Sequence, residues 1–272
     1  TEKPSFSESL TPKRVPNRLL NIESVSQLFF DSLALSAWKS FQGTKWALRV
    51  NPSSGNLHPT EGYLVCGPLQ GLIDKPSVFH YSPETHGLEI RTHFSMKTWK
   101  KMEVPQGTIF IGLSSIHWRE AWKYGHRAYR YCHHDIGHAL AAINISCSGL
   151  GWQTYLMDHL THSDLETILG LPKKQDVELE VPDCLIAILT TGKNENICLS
   201  KRDFTQGFSD LTWQGTPNIL SKSHMEWPGI NEVAESTRKT ESSYPNKVQR
   251  EFSSNLIKND SFPLRKAIHQ RR

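Results

Sequence analysis

Basic and aromatic side chains that could take part in proton transfer are concentrated in one short segment, residues 122–130. This segment contains Lys123, Tyr124, Arg127 and Arg130, and it stands immediately before a long apolar run. A tyrosine hydroxyl beside a lysine is suited to accept or release a proton, because a nearby positive charge favours the ionised phenol. The alternative is an ordinary solvated helix start in which the tyrosine packs inward.

A second polar segment, Asn51–Glu61, is rich in residues that form turns. Its centre contains Ser53, Ser54, Gly55 and Asn56 between two prolines. Turns of this composition expose backbone N–H groups and short side-chain donors, which suit an anion or the polar edge of a heteroaromatic ring. By spacing alone, an ordinary surface turn is the simpler interpretation.

Two histidines, His134 and His138, are four residues apart and would share one face of a helix, a spacing that can bind a metal ion. The residues between them include no glutamate, unlike an HExxH motif, and the sequence offers no evident third ligand. Ligand number and geometry decide whether a metal site forms. We therefore expect these histidines to pack or to hydrogen-bond, and we predict no metal.

The segment around Lys123 and Tyr124 is predicted to form the entry of a long helix within residues 117–152. Apolar residues there recur at spacings of three and four, the period of a helix with one buried face. Gly149 and Gly151 are suited to end it. Further helices are predicted over residues 24–41, 164–169 and 227–238.

Alternating or continuous apolar residues predict the strands. They cover residues 62–66, 78–81, 87–91, 108–113, 153–157 and 185–189. Because helices and strands alternate irregularly, the pattern favours an α+β fold with mixed strand order.

Composition excludes several classes of function. The 272 residues carry a formal net charge of +4 that is spread along the chain, so charge gives no argument for nucleic-acid binding. No apolar run approaches the ~20 residues that cross a bilayer, and we expect no membrane protein. Five scattered cysteines without a CxxC pair indicate free thiols in a reducing compartment. With no signal peptide evident, we expect a cytoplasmic location.

Changes in composition along the chain predict its domain organisation. Residues 1–20 are polar with three prolines and predict an extended arm, whereas residues 21–200 carry most of the periodic apolar segments. Residues 201–260 are polar with scattered apolar residues, which is typical of a linker or wrapping arm. Residues 261–272 begin a new amphipathic helix.

Four motifs resemble those of the flavin-dependent nitroreductase superfamily and, within it, of the SagB-type thiazoline/oxazoline dehydrogenase branch. Asn51-Pro-Ser-Ser-Gly-Asn-Leu-His-Pro-Thr-Glu61 resembles the flavin-edge segment, P-S-x-G-x-x-x-P-x-E. Trp122-Lys-Tyr-Gly-His-Arg-Ala-Tyr-Arg130 resembles the entry to the central helix, K-Y-x-x-R-x-Y-R. The other two are Asp135–His138 with Gly149–Gly151, similar to the helix body and end, and Pro182–Lys193, similar to the last core strand. Each motif alone is weak evidence, but the four occur in the order and at the spacing of the family, which makes the resemblance strong.

The resemblance implies a nitroreductase-like α+β fold, with a central mixed sheet flanked by helices and a long buried central helix. FMN would be held between two protomers or two equivalent domains, and residues 53–56 would contact the ring or ribityl edge, where hydrogen bonds tune flavin electronics. Lys123 and Tyr124 align with a catalytic Lys-Tyr pair. The implied activity is hydride transfer between flavin and a small-molecule or modified-peptide substrate.

One motif of the family is missing from its usual place. Members carry Arg-Arg-Ser-x-Arg before the first strand to grip the FMN phosphate, but residues 1–48 lack it and offer Lys13, Arg14 and Arg18 in a different setting. His269-Gln-Arg271-Arg272 resembles the beginning of that motif. The resemblance therefore implies that a second nitroreductase-like domain follows, and that residues 261–272 open it.

Basic residues within the first domain are the remaining candidates for binding the phosphate: Arg49, Arg127 and Lys193. The alternative is a degenerate nitroreductase-fold domain that completes a neighbouring flavin pocket or binds another protein. The missing arginine motif favours this alternative, and the intact Lys123–Tyr124 pair argues against it.

Overall fold

The computed structural model describes residues 3–11, 14–171, 178–191, 201–241 and 261–270. Its strands are β1 (Leu35–Phe41), β2 (Thr44–Arg49), β3 (Thr60–Cys66), β4 (Ser77–Ser82), β5 (Gly87–His93), β6 (Thr108–Ile116), β7 (Gln153–Leu156) and β8 (Glu180–Leu189). Strands β1 and β2 form a separate hairpin, and the other six form one sheet with the order β5-β4-β3-β6-β8-β7.

Nine helices accompany these strands in the described residues. They are α1 (Phe6–Ser9), α2 (Ile22–Phe30), α3 (Met96–Lys101), α4 (Trp118–Tyr124), α5 (Ala128–Gly149), α6 (His162–Leu169), α7 (Lys201–Gln206), α8 (Pro228–Ser236) and α9 (Leu264–Gln270). Of the described helices, none is both long and apolar enough to cross a membrane. The predicted short helix at residues 227–238 is confirmed as α8.

The six-stranded sheet has two buried faces, which explains why its central strands read as continuous apolar runs. Every residue of β3 and β6 is buried. Because successive side chains point to opposite faces, Leu64 and Ile111 pack on one side and Val65 and Phe110 on the other. The predicted α+β class is confirmed. All described strand pairs of this sheet are antiparallel, whereas the sequence predicted a mixture of parallel and antiparallel strands.

Helices α2 and α5 cover the first face of the sheet. The buried stripe of α5 includes Ile136, Ala139, Ile143 and Cys147, at the spacings that the sequence predicted. Helix α2 begins at a reciprocal cap in which Asn21 and Ser24 each accept from the other's backbone N–H, a motif that satisfies otherwise unpaired amides.

Helices α6 and α7 cover the second face. Phe204 and Phe208 are completely buried there, in the same cluster as Leu165, Ile168 and Phe110. The sequence predicted that the domain ends near residue 200. The apolar core instead continues into the first residues of the predicted linker.

The predicted helix over residues 24–41 is wrong beyond Phe30. Residues 35–49 form the β1–β2 hairpin, whose turn at Gln42 and Gly43 has φ angles of 46° and 82°. Such left-handed backbone matches the twist of paired strands and favours glycine. Trp38 and Phe41, predicted to extend an apolar helical face, are 57% and 66% exposed.

The predicted long helix is divided in two at Gly125. This residue has φ 56° and ψ −139°, a conformation closed to residues with a side chain, and it ends α4 before a short 3₁₀ turn leads into α5. The break changes the direction of the chain directly after Lys123 and Tyr124. The apolar period identified the body of α5 correctly but gave no sign of the break.

A segment that we name the strap, residues 209–237, runs across three parts of the domain. Trp213 packs on Gly170 at the end of α6, and Arg91 donates to the Gly215 carbonyl at 3.0 Å. At its far end, Trp227 packs against Gly125. The strap thus connects the second sheet face with the break between α4 and α5.

Helix α9 packs against α2 and the end of α5. Leu264 is buried on Gly149, and Arg265 and His269 each contact the buried carboxylate of Asp31 at 2.9 Å. The assignment of residues 261–272 to a second domain stays a prediction. Arg271 and Arg272, like Lys13 and Lys193, lie outside the described residues.

Candidate active site

The turn at residues 53–56 is fixed to the centre of α5 by one buried carboxylate. The backbone N–H of Ser54 and its hydroxyl donate to Asp135 Oδ1 at 2.9 and 3.0 Å. Asp135 is completely buried, so these hydrogen bonds compensate the cost of placing its charge inside the protein. The sequence singled out both segments but did not predict this bond between them.

The other polar side chains of the turn are also used by the fold. The Ser53 hydroxyl accepts from the His58 N–H at 2.8 Å, and Asn56 Nδ2 donates to the Ala47 carbonyl at 2.8 Å. Gly55, Asn56 and His58 all have positive φ angles, between 53° and 61°. Among the amides of residues 54–58, only that of Gly55 donates no hydrogen bond to a described residue.

Gly55 brings the turn into contact with the predicted proton-transfer pair. A Cβ atom at this position would lie 2.9 Å from Lys123 Nζ and would overlap the Tyr124 hydroxyl. Lys123 Nζ is 5.4 Å from the centre of the Tyr124 ring, and the Tyr131 ring meets Tyr124 edge-on at 4.7 Å. The exposed amide of Gly55, an ammonium group and a phenol therefore lie together on one surface.

A buried acid, Glu120, lies beneath this surface and was missed by the sequence analysis. It is completely buried, and neither carboxyl oxygen bonds to a described residue. Burial raises its pKa to about 8, with a further contribution from Asp135 that Lys123 partly opposes. Its position three residues before Lys123 on a helix is the one sequence signal that could have identified it.

Other predicted site residues lie apart from this cluster. Arg127 is exposed on the 3₁₀ turn, and Arg49 lines a separate cavity described below. His134 and His138 are exposed on α5. Within the described residues, no group of three or more histidine, cysteine or acidic side chains is arranged to hold a metal ion.

A cavity of about 750 Å³ lies between the β1–β2 hairpin, the sheet and the strap. Its deep wall contains the pairs Arg119–Glu61 and His80–Glu61, the second at 2.8 Å. Burial alone would raise the pKa of Glu61, but His80, Arg119 and Arg49 together lower it to about 2. Glu61 therefore remains charged, and it holds its basic neighbours in place.

The protein combines an antiparallel sheet, a long helix α5 that packs on it, and a glycine turn at residue 55 that contacts the segment just before α5. This arrangement is that of a nitroreductase-type α+β fold. The chain matches the Nitroreductase family over residues 41–188, more than half of its length, and it belongs to that family.

Relatives of this chain are distant in sequence. The "Putative nitroreductase MJ1384" of Methanocaldococcus jannaschii is 22% identical over 158 residues, which cover 56% of this chain and 75% of that protein. A crystal structure described as a putative nitroreductase from Anabaena variabilis shares 19% identity and superposes with a TM-score of 0.59. That superposition covers 81% of this chain but 44% of the Anabaena chain, so this chain spans less than half the length of that relative.

A third similarity is to the Escherichia coli microcin synthetase McbBCD complex with truncated pro-MccB17 bound. It has 17% identity and a TM-score of 0.49, and it covers 69% of this chain and 73% of that one.

Proposed function

We propose that this chain is the flavin-binding domain of an FMN-dependent oxidoreductase that transfers hydride between flavin and a small or peptide-borne substrate. Membership of the Nitroreductase family supports the class of reaction. The SagB-type assignment rests on the two motifs at residues 51–61 and 122–130. Both motifs contribute to one surface, through Gly55 on one side and Lys123 and Tyr124 on the other.

The observation that carries the proposal is the exposed Gly55, whose amide donates to no described residue, beside Lys123 and Tyr124. A flavin ring needs hydrogen-bond donors along its polar edge, and a flat ring can approach this turn closely because residue 55 has no side chain. When bound, FMN would supply the hydride acceptor or donor. Gly55 would hold its edge, and Arg127 and Lys193 remain the predicted phosphate ligands.

The chain's own side chains have separate tasks in this proposal. The Tyr124 hydroxyl holds or moves the substrate proton, and the Lys123 ammonium stabilises negative charge that develops on that oxygen. Asp135 keeps the turn in place through Ser54. The exposure of Lys123 leaves room for a second domain or a second copy of the chain to close the site, as the resemblance implies.

Flavin loading and one tyrosine variant test this function. We expect the protein to retain FMN through gel filtration, seen as flavin absorbance. Tyr124→Phe should keep the flavin and lower turnover by roughly 10²-fold or more, in line with the loss of a general acid–base. Tyr155→Phe is the matched control, because Tyr155 lies on the edge strand β7 and its hydroxyl donates to Gln153 on the same strand. Equal turnover of both variants would remove Tyr124 from the mechanism.

A degenerate domain that completes a neighbouring flavin pocket is the second candidate. It is favoured by the engagement of Ser53, Ser54 and Asn56 in bonds within the fold, which leaves few side-chain donors for a cofactor of its own. A protein that stays colourless after reconstitution with FMN, yet restores flavin binding to a supplied partner domain, would favour this candidate over the first.

A further inference from the structure

Arg49 is a cation in the wall of the 750 Å³ cavity without an anionic partner of its own. Its guanidinium donates to the backbone carbonyl of Thr60 at 2.9 Å, and its Nε is shielded from solvent with no partner among the described residues. Burial lowers the pKa of Arg49, a shift that Glu61 partly offsets. A shielded cation without a bonded carboxylate is costly unless a ligand supplies the anion.

Two arginines, Arg49 and Arg119, line the deep wall of the cavity. Arg119 pairs with Glu61, whereas Arg49 contacts no carboxylate among the described residues. Burial alone would lower the pKa of His80, but Glu61 and Glu89 raise it. Glu84 and Glu89 are exposed, so water and salt screen them. Arg49 is therefore the buried cation of this wall that lacks an anion of its own.

A second buried acid, Glu180, completes the polar part of this wall. Burial raises its pKa, and its Oε1 accepts hydrogen bonds from Tyr63 at 2.6 Å and also from Ser114. A monoanion fits this setting better than a phosphate dianion, because Glu61 and Glu180 stand in the same wall and would repel a second negative charge.

Apolar groups cover much of the rest of the cavity. Trp38 and Leu35 come from the hairpin, Ile116 from β6 and Leu220 from the strap. The strap is fixed there because Leu220 N and Ser221 N donate to Glu178 at 2.7 and 3.0 Å. Cavities of several hundred Å³ with apolar walls and a few polar groups are typical of small-molecule sites.

We propose that this cavity binds a small organic monocarboxylate with an aromatic or aliphatic body, and that Arg49 pairs with its carboxylate. A guanidinium fork matches the geometry of a carboxylate, and Trp38 offers a flat surface for the body. This assignment excludes Arg49 from the FMN phosphate site.

The cavity lies close to the proposed active site along the chain. Gly55 contacts Tyr124, and His58, three residues later, lines the cavity. Three peptide units span at most about 11 Å between Cα atoms, so the residue that lines the cavity and the residue that contacts Tyr124 are no farther apart than that. Binding there requires no flavin, which separates this proposal from the proposed function.

Calorimetric titration with 2-naphthoate tests the carboxylate site. We expect binding of 2-naphthoate and at least tenfold weaker binding of the neutral 2-naphthamide. Arg49→Gln should weaken 2-naphthoate binding by tenfold or more, consistent with loss of a charge-assisted pair. Arg14→Gln, which changes an exposed arginine of the N-terminal arm, should have no effect. Equal affinity for acid and amide, or an unchanged Arg49→Gln variant, would refute the site.

A cavity-filling variant and a measurement of FMN content distinguish loss of the carboxylate site from misfolding and from loss of the cofactor. Ala47→Phe fills the cavity from β2 while keeping the Arg49 side chain, and it should also abolish 2-naphthoate binding. Both variants should keep the FMN content of the unaltered protein. Joint loss of FMN and 2-naphthoate in the soluble, folded Arg49→Gln variant would assign Arg49 to the cofactor and overturn the proposal.

Discussion

Glu120 places an ionisable group inside the protein, within electrostatic range of Lys123 and Asp135. Because its pKa is raised to about 8, the carboxyl group is protonated at neutral pH. A neutral acid costs far less to bury than a carboxylate, which explains how a side chain without a described hydrogen-bond partner is tolerated. Ionisation would set a second negative charge beside Asp135, the residue that holds the turn.

We predict that Glu120→Gln stabilises the protein at alkaline pH. A carboxyl group whose pKa is higher in the folded state than its usual 4.5 weakens the fold as pH rises from 4.5 through about 8. Removing the charge should therefore raise the free energy of unfolding at pH 8 by up to about 4 kcal/mol, and should change little at pH 4.5. Urea denaturation at both pH values measures the difference.

The exposed Glu232→Gln on α8 provides the control for this prediction, with no expected pH-dependent gain. Equal curves for Glu120→Gln and the unaltered protein at pH 8 would show that Glu120 is not a buried neutral acid.

Individual site residues could be predicted from the sequence only through motif resemblance. Gly55 and Tyr124 are far apart in the chain, and no periodicity relates them. Local spacing predicted a polar turn and a charged helix entry, which are both present. The bond from Ser54 to Asp135 depends on how α5 crosses the sheet, and this packing is determined by the whole core.

At the scale of elements, the break between α4 and α5 sets the direction of the Lys123–Tyr124 segment. Gly125 adopts a backbone conformation that only glycine reaches without strain, and Trp227 of the strap packs against it. His126 meets the Trp227 ring edge-on at 4.9 Å. The break is therefore fixed from both sides, by its own backbone and by the strap.

We predict that Gly125→Ala destabilises the protein by about 1–3 kcal/mol, because of the strained backbone and a Cβ placed 3.0 Å from the Trp227 ring. It should also lower flavin retention, since Lys123 and Tyr124 would shift. Gly137→Ala on α5 is the matched control: no atom lies within 4 Å of its added Cβ, and alanine favours a helix by roughly 0.5–1 kcal/mol. A loss of stability in Gly137→Ala alone would contradict this account.

Helices and strands were predicted well where the apolar residues followed a single repeat. They were predicted poorly where the same apolar residues were compatible with both a helix and a strand. In residues 33–41, apolar side chains follow helical spacing, so the β1–β2 hairpin was predicted as helix. Gly43 was the informative residue, because a glycine flanked by extended segments indicates a hairpin turn. The six strands of the main sheet had no competing pattern, and all of them, β3 to β8, were recognised as strands.

At the scale of the whole molecule, described residues between 203 and 237 pack against the sheet and the helices that cover it. Phe204 and Phe208 fill the second face of the sheet, and their four-residue spacing was the signal for a helix that the polar composition obscured. The strap then continues over the cavity to the break at Gly125. One segment of chain therefore links the sheet core, the proposed carboxylate site and the proposed active site.

We predict that Phe204→Ala destabilises the protein by about 3–5 kcal/mol, the usual cost of removing a fully buried phenyl ring. Ile219→Ala on the strap is the control, because Ile219 is 67% exposed and its truncation should change the free energy of unfolding by less than about 0.5 kcal/mol. Urea denaturation followed by tryptophan fluorescence measures both. A cost below about 1 kcal/mol for Phe204→Ala would mean that the chain after residue 200 is a loosely attached linker. In that case the strap could not hold Gly125 in place. The loss of unfolding free energy in Gly125→Ala should then equal the cost of its strained backbone alone.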